Sequence, residues 1–181
     1  MTKKYLESER IYLRPFKKED FQTIHDALLN PEFRKLTGTQ TYLSMEKIEN
    51  AYESFKNDRS RLDFVIALKE TDEAIGDLAL NELDHLNNNG NVRIALYKEE
   101  HYGKGLGPEA LNLVLEYGFE VLNLYRIGLN VYEYNARAIK SYEKLGFVKE
   151  GVLRSELLFN GTYYDNYMMS VLRHEYNNIR K

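Results

Sequence analysis

The chain has 181 residues, of which 43% are hydrophobic and 29% charged, and its formal net charge is −3. A chain of this size and composition buries one sizeable core, so we expect a single domain over residues 1–181. The charge argues against general nucleic-acid affinity through a basic field, and the absence of cysteine excludes disulfides, thiolate nucleophiles and thiolate metal sites.

The first half of the chain predicts a strand, two helices and an antiparallel meander. Alternating residues in Ile11–Arg14 end at Pro15 and predict a short strand. Asp20 is predicted to cap a helix that stops before Pro31, and Ser44 to cap the next helix. The strands predicted for the meander are Phe64–Leu68, Ala74–Leu83 and, after an Asn87–Gly90 turn, Val92–Tyr97.

The second half predicts helix, strand, helix and hairpin. Apolar residues recur at helical spacing from Leu111 to Leu122, and another helix is predicted from Asn135 to Leu145. The dipeptide Asn160-Gly161 is typical of a type I′ hairpin turn. The strands predicted here are Arg126–Tyr132, Val148–Phe159 and Thr162–Leu172. The whole order indicates an α+β fold, neither doubly wound nor a barrel.

Three alternating glycines, Gly103, Gly105 and Gly107, stand between a predicted strand and a predicted helix. Such a turn lets backbone N–H groups point outward at a helix N-terminus, which favours a phosphate or pyrophosphate. A P-loop needs Ser or Thr after Gly-Lys, but Lys104 is followed by glycine, and the acidic residue of a dinucleotide fingerprint is absent at position 123. A turn chosen only for its shape is the alternative.

Asn135, Ala138 and Tyr142 are spaced i, i+3 and i+7, so they share one face of the predicted helix. The small side chain of Ala138 leaves room beside Tyr142 for a ligand. The alternatives are an N-cap role for Asn135 and a core position for Tyr142.

Two motifs and a hairpin resemble the GNAT superfamily of N-acetyltransferases. The run Tyr102-Gly103-Lys104-Gly105-Leu106-Gly107 resembles the acetyl-CoA pyrophosphate loop, and residues 135–147 are similar to the second signature. The segments 150–154 and 159–165 resemble the closing hairpin of the branch that contains ribosomal-protein N-terminal (alanine/serine) acetyltransferases. The likeness covers most of the chain, from Leu13 to about Leu172.

The resemblance implies a single-domain fold with a mostly antiparallel mixed sheet, flanking helices and a C-terminal β-hairpin. The sheet splays where the glycine loop begins, so the pantetheine arm of the co-substrate acetyl-CoA lies between two diverging strands. The cofactor-binding residues that it implies are Ala95, Leu96, Tyr97, Tyr102, Gly103, Lys104, Gly105, Leu106, Gly107, Asn135, Ala138 and Lys144.

By the same resemblance, Tyr142 is the general acid of a direct transfer from acetyl-CoA to a primary amine. A thiol has a pKa of about 8.5 and a phenol about 10, so a nearby tyrosine hydroxyl can hydrogen-bond or protonate the leaving thiolate. The backbone amide of Leu96, or of a neighbour, is a candidate oxyanion donor. Glu156 is a candidate base, with an outward-facing strand position as the alternative, and Asp165 is expected to be structural.

The acceptor is expected to be a protein N-terminus or a small amine. Residues 117–125 also resemble bacterial spermidine acetyltransferases, which makes a polyamine the alternative acceptor, although residues 36–42 carry no carboxylate. In the branch with the ribosomal-protein acetyltransferases, the strand before the glycine loop begins with Ala-Glu-Ile-Gly. The corresponding residues here are Asn91-Val92-Arg93-Ile94-Ala95, which include no glutamate. That loss favours another alternative, a catalytically weak acyl-CoA-binding domain.

Other features of the chain add expectations about metals, partners and location. The histidines at positions 25, 85, 101 and 174 have no metal-ligand spacing, so we expect no metal. Residues 1–8 lack the apolar stretch of a secretory signal, and no run is long enough to span a membrane, so we expect a cytoplasmic protein. Dimerisation is common in the family, and the aromatic C-terminal hairpin could supply a homodimer surface.

Overall fold

The structure is a computed structural model that describes residues 6–179. Its strands are β1 (Leu6–Glu7), β2 (Ile11–Arg14), β3 (Leu62–Leu68), β4 (Ala74–Asp84), β5 (Asn89–Leu96), β6 (Arg126–Tyr132), β7 (Val148–Phe159) and β8 (Thr162–Leu172). These strands form one eight-stranded sheet in the order β1-β2-β3-β4-β5-β6-β8-β7. The α+β layout with a closing hairpin is the predicted one.

The sheet is antiparallel except where β5 meets β6. These two strands run parallel, and they pair only through residues 89–91 of β5 and residues 126–128 of β6. Beyond Asn91 the strands diverge, while β5 stays paired with β4 as far as Leu96. The predicted splay is confirmed, and it opens a cleft at the end of β5.

Six helices accompany the sheet. They are α1 (Asp20–Leu29), α2 (Pro31–Thr37), α3 (Met45–Phe55), α4 (Leu106–Glu116), α5 (Ala136–Lys144) and α6 (Arg173–Ile179). Short 3₁₀ and π turns lie at Glu99–His101 and Tyr117–Val121. Within residues 6–179 no helix has the length and apolar character needed to cross a membrane.

Helix α2 was not predicted, because Pro31 was interpreted only as the end of α1. Proline is well tolerated in the first helical turn, and here it begins a new helix. The side chain of Asn30 caps that helix by accepting hydrogen bonds from the amides of Glu32 and Phe33. Gly38, at φ +67°, ends it in the left-handed conformation.

Asp20 was predicted as an N-cap, but it is the first residue of α1 and makes no cap hydrogen bond. Its buried carboxylate instead pairs with Arg14 at 2.7 Å and accepts a hydrogen bond from the amide of Lys17. Ser44 does cap α3, through the amide of Lys47. Asn160 and Gly161 both have positive φ, as the predicted type I′ turn requires.

Two hydrophobic clusters hold the helices and the sheet together. One joins α4 to the sheet and includes Leu111 and Val114, and the other joins α1, α2 and α3 and includes Ile24, Phe33 and Ile48. β4 is buried along most of its length, as expected for a strand whose two faces are covered. This packing fixes β4 and β5 and leaves the cleft beside β5 open.

Candidate active site

The cleft at the end of β5 holds a cavity of about 660 Å³, lined by β5, the glycine loop, α4 and α5. The amide of Tyr97 donates to the carbonyl of Ile75, at the start of β4, over 2.9 Å. Because backbone groups alternate sides along a strand, those of Leu96 and Ile94 point the other way, towards the cleft. The carbonyl of Leu96 accepts a hydrogen bond there from the hydroxyl of Tyr102 (3.1 Å).

The glycine loop at the start of α4 is held in a conformation that favours glycine. Gly103 has φ +70° and Gly105 has φ +80°, the left-handed region that side chains disfavour. No atom lies within 4 Å of the place where a Cβ of Gly103 would stand. The loop therefore forms an open cradle of backbone at a helix N-terminus, which fits a pyrophosphate.

Contacts from the N-terminal part of the chain support this loop from behind. Arg10 donates from its guanidinium to the carbonyl of Lys104 over 2.9 Å and pairs with Glu109 at 2.6 Å. Glu109 also accepts a hydrogen bond of 2.6 Å from the hydroxyl of Ser8. The hydrogen bonds from Ser8 and Arg10 keep the pKa of Glu109 below its usual value against the effect of burial, so the carboxylate is charged.

Basic side chains of α5 line the same cavity. Arg137, Lys140 and Lys144 are exposed and spaced i, i+3 and i+7, so they form one stripe along the helix. The guanidinium of Arg137 lies 4.3 Å from the ring centroid of Tyr102. Lys144 was predicted as a cofactor contact, whereas Arg137 and Lys140 were missed. Their spacing from Lys144 in the sequence is the signal that could have found them.

Tyr142 lies where the first cavity meets a second one, of about 480 Å³. Its ring packs on Phe147, and burial raises the pKa of the phenol to about 12. The hydroxyl therefore keeps its proton at neutral pH. Asn135 lines both cavities, and its side-chain oxygen caps α5 through the amide of Ala138 at 3.2 Å. Asn135 therefore does act as the N-cap, which was the alternative role. Its side-chain oxygen is used for that cap, and its side-chain amide nitrogen can donate to a ligand.

Two carboxylates, Glu82 and Glu156, line the second cavity together with Tyr132. The pKa of the Tyr132 phenol is raised, mainly by burial and secondly by the negative charge of Glu156. This carboxylate therefore lies close to the Tyr132 ring. The buried Asn166 donates a hydrogen bond of 2.8 Å to Glu156 and orients it. Arg93 also lines this cavity, but its guanidinium pairs with Asp77 at 2.7 Å.

Two β-bulges carry these carboxylates to the second cavity. Glu82 has φ +52° within a register shift of β4 against β5, and the side-chain amide of Asn91 donates to its carboxylate. Ser155 has φ +53° in a register shift of β7, and its amide donates to Asp165 over 2.8 Å. A bulge re-aims the side chains next to it, which brings Glu156 to the cavity. Asp165 is structural, as expected.

The structure brings ten of the twelve predicted cofactor contacts to the first cavity. These ten are Ala95, Leu96, Tyr102, Gly103, Gly105, Leu106, Gly107, Asn135, Ala138 and Lys144. Tyr97 does not reach it, because its ring is buried and its amide bonds to β4. Lys104 does not line it either, because the loop turns its carbonyl towards Arg10.

A splayed sheet, a glycine cradle beside basic side chains, and a protonated phenol at the end of the cleft define an acyl-CoA-dependent acyltransferase. The acetyltransferase (GNAT) domain family matches residues 10–148. This chain belongs to that family and is an N-acetyltransferase that uses acetyl-CoA as its co-substrate.

Several known proteins are similar to the chain over nearly its whole length. It is 34% identical to spermidine N(1)-acetyltransferase of Escherichia coli (strain K12), over 92% of this chain and 88% of that protein. The crystal structure of spermidine N-acetyltransferase from Vibrio cholerae in complex with CoA and spermine has a TM-score of 0.86 and 31% identity, and covers 93% of this chain and 98% of that chain. A dodecameric structure of the Vibrio cholerae enzyme has a TM-score of 0.79 and 30% identity, and covers 94% of this chain and 98% of that chain.

Proposed function

We propose that this N-acetyltransferase acetylates a polyamine of the spermidine type. The main observation behind this proposal is the second cavity, which Glu82 and Glu156 line together with Tyr132. This cavity meets the first cavity at Tyr142. Two carboxylates attract the ammonium groups of a long amine, and a tyrosine ring face favours a cation. The relatives named above, spermidine acetyltransferases, support this acceptor over the protein N-terminus expected first.

In the proposed reaction Glu156 takes a proton from the ammonium group, and the freed amine nitrogen attacks the acetyl carbonyl of acetyl-CoA. The carbonyl oxygen gains negative charge, which the cleft-facing backbone amide of Leu96 stabilises. The carbon–sulfur bond then breaks and the thiolate takes a proton from Tyr142, while the second proton lost by the acetylated nitrogen returns to the phenolate, so that a neutral amide, the CoA thiol and the Tyr142 hydroxyl result. Burial raises the pKa of the phenol to about 12, which weakens it as an acid, and the same burial disfavours a charged thiolate, which offsets part of that loss.

We also propose how the protein is organised. The single sheet over residues 6–179 supports one acetyltransferase domain spanning residues 1–181. A homo-oligomer is proposed because the edge strand β7 exposes Val148, Val152 and Leu158, and because the Vibrio cholerae relative has a dodecameric structure. The cytoplasm is the proposed location, since the chain has no cysteine to form disulfides.

An acceptor panel tests the polyamine proposal. Thiol release from acetyl-CoA is measured with spermidine, spermine, a simple monoamine, an aminoglycoside and an N-terminal peptide. We expect kcat/KM for spermidine or spermine to exceed that for the monoamine and the peptide by at least ~10-fold, since each added ion pair contributes about 1 kcal/mol. Equal rates for all amines would overturn the polyamine assignment, and CoA binding without thiol release from any amine would favour a binding domain.

Glu82→Gln tests whether this carboxylate holds the far end of the amine. We expect KM for spermidine to rise roughly fivefold, because one exposed ion pair is lost, while KM for the monoamine and kcat for both stay near wild type. Glu53→Gln, an exposed change of the same kind on α3, is the matched control. A parallel rise for both amines would place Glu82 outside the acceptor site.

Gly103→Val tests the backbone cradle. Valine at φ +70° places its side chain in the space assigned to the pyrophosphate, and we expect the dissociation constant for CoA to rise roughly 30-fold, the scale of one or two lost hydrogen bonds to a charged group. Isothermal titration with CoA gives the value.

The control is Gly161→Val in the hairpin turn, where φ is +80° and the Cβ position is equally empty. Both substitutions carry the left-handed strain of about 1–2 kcal/mol, so thermal unfolding should fall alike in the two variants. Only Gly103→Val should lose CoA affinity. Equal affinity in the two variants would show that the loop does not contact the cofactor.

A further inference from the structure

Three side chains of the types that bind metal ions converge next to the turn that leads into the glycine loop. Glu73 stands just before β4, and Glu100 and His101 belong to the 3₁₀ turn at residues 99–101. One ligand atom of each lies within 4.8 Å of the other two. The two segments are far apart in the sequence, and the pairing of β4 with β5 brings them together.

The imidazole of His101 is aimed into this group without a partner of its own. The residue is 8% exposed, and its Nε2 makes no hydrogen bond within residues 6–179. That nitrogen lies 3.6 Å from a carboxylate oxygen of Glu100 and 3.9 Å from one of Glu73. These separations are too long for hydrogen bonds. Two atoms that coordinate the same zinc ion, each about 2.0–2.2 Å from it, lie only slightly closer to one another than these atoms do.

A lysine ammonium now balances the charge of the two carboxylates. Nζ of Lys98 lies 2.8 Å from Glu73 and 3.6 Å from Glu100. The side chain of Lys98 is half-exposed, so it can move into solvent without losing buried contacts. With Lys98 withdrawn, two carboxylates and one neutral imidazole remain, a set whose charge of −2 matches a divalent cation.

We propose that Glu73, Glu100 and His101 form a binding site for a divalent transition-metal ion of the zinc class, for which Lys98 is the competing cation. An imidazole nitrogen with two carboxylates suits Zn²⁺ and its first-row neighbours, whereas Mg²⁺ and Ca²⁺ prefer oxygen ligands alone. The ion would tie the turn before β4 to the segment that enters the glycine loop. Because His101 also lines the first cavity, the ion would lie beside the proposed cofactor site.

Isothermal titration of the full, tag-free chain with ZnCl₂ and with MgCl₂ tests this site. We expect one Zn²⁺ per chain and no Mg²⁺ competition. Loss of a residue that only orients a metal ligand already weakens metal binding by ~10-fold or more. Glu100→Gln removes a proposed ligand itself, at an exposed position, so it should weaken zinc binding by at least ~10-fold. Lys98→Gln should do the opposite and tighten it several-fold.

His174→Gln, an exposed histidine on α6, is the matched control and should bind zinc as the wild type does. His101→Gln should weaken binding as Glu100→Gln does, and thermal unfolding without metal shows whether each variant is folded. The proposal is overturned if wild type and Lys98→Gln both fail to bind zinc, if Lys98→Gln binds more weakly than wild type, or if Glu100→Gln binds as tightly as wild type.

Discussion

Replacing Tyr142 with phenylalanine is expected to lower kcat for acetyl transfer by ~10²-fold, the lower end of general-acid contributions. The ring still packs on Phe147, so the fold and the CoA dissociation constant should stay near wild type. Only the hydroxyl is lost, and with it the group proposed to donate to the leaving thiolate. Steady-state thiol release and CoA titration measure the two quantities.

The pH dependence gives an independent test of the same residue. Because burial raises the pKa of Tyr142 to about 12, the acid form persists well above neutrality and is lost only as the pH approaches that value. We therefore expect no fall in wild-type kcat across the neutral and mildly alkaline range. Tyr163→Phe, on the exposed end of the hairpin, is the control. An unchanged kcat in Tyr142→Phe would remove this phenol from the mechanism.

Glu156→Gln is expected to lower kcat by ~10²-fold at neutral pH, because glutamine cannot take the proton from the attacking ammonium group. The glutamine can still accept the hydrogen bond from Asn166, so the local structure should persist. The deficit should shrink as the pH rises past about 10, where a growing fraction of a primary amine is already neutral. A pH profile of kcat on spermidine measures both effects.

A merely electrostatic role for Glu156 predicts a different pattern. The KM for spermidine would then rise while kcat stayed near wild type at every pH. Glu53→Gln again controls for the loss of one surface charge. That split between KM and kcat decides whether the carboxylate is the base or only part of the acceptor site.

Much of the cofactor side could be predicted from the sequence because it depends on local backbone demands. The glycines at 103 and 105 are needed where φ is positive, and the Asn160-Gly161 turn likewise requires positive φ. Helix α5 follows from its cap at Asn135 and its apolar spacing. Each of these signals lies within a few consecutive residues, which is the range over which sequence patterns are informative.

The acceptor side could not be predicted in the same way. The missing strand glutamate favoured a catalytically weak binding domain, yet Glu82, on the neighbouring strand, lines the second cavity. Its φ is +52°, a conformation for which glutamate has no preference and so gives no signal. The same holds for Ser155, whose amide in the bulge donates a hydrogen bond to the carboxylate of Asp165 on the paired strand.

The sequence by itself determined the glycine loop, the helix that carries Tyr142 and the closing hairpin, since glycine conformation, capping and apolar period are properties of short segments. Only the tertiary structure decided where β5 and β6 part, which carboxylates line the second cavity, and that Glu73 meets His101. Those outcomes depend on strand register and bulges, which packing between distant segments sets and no single segment encodes.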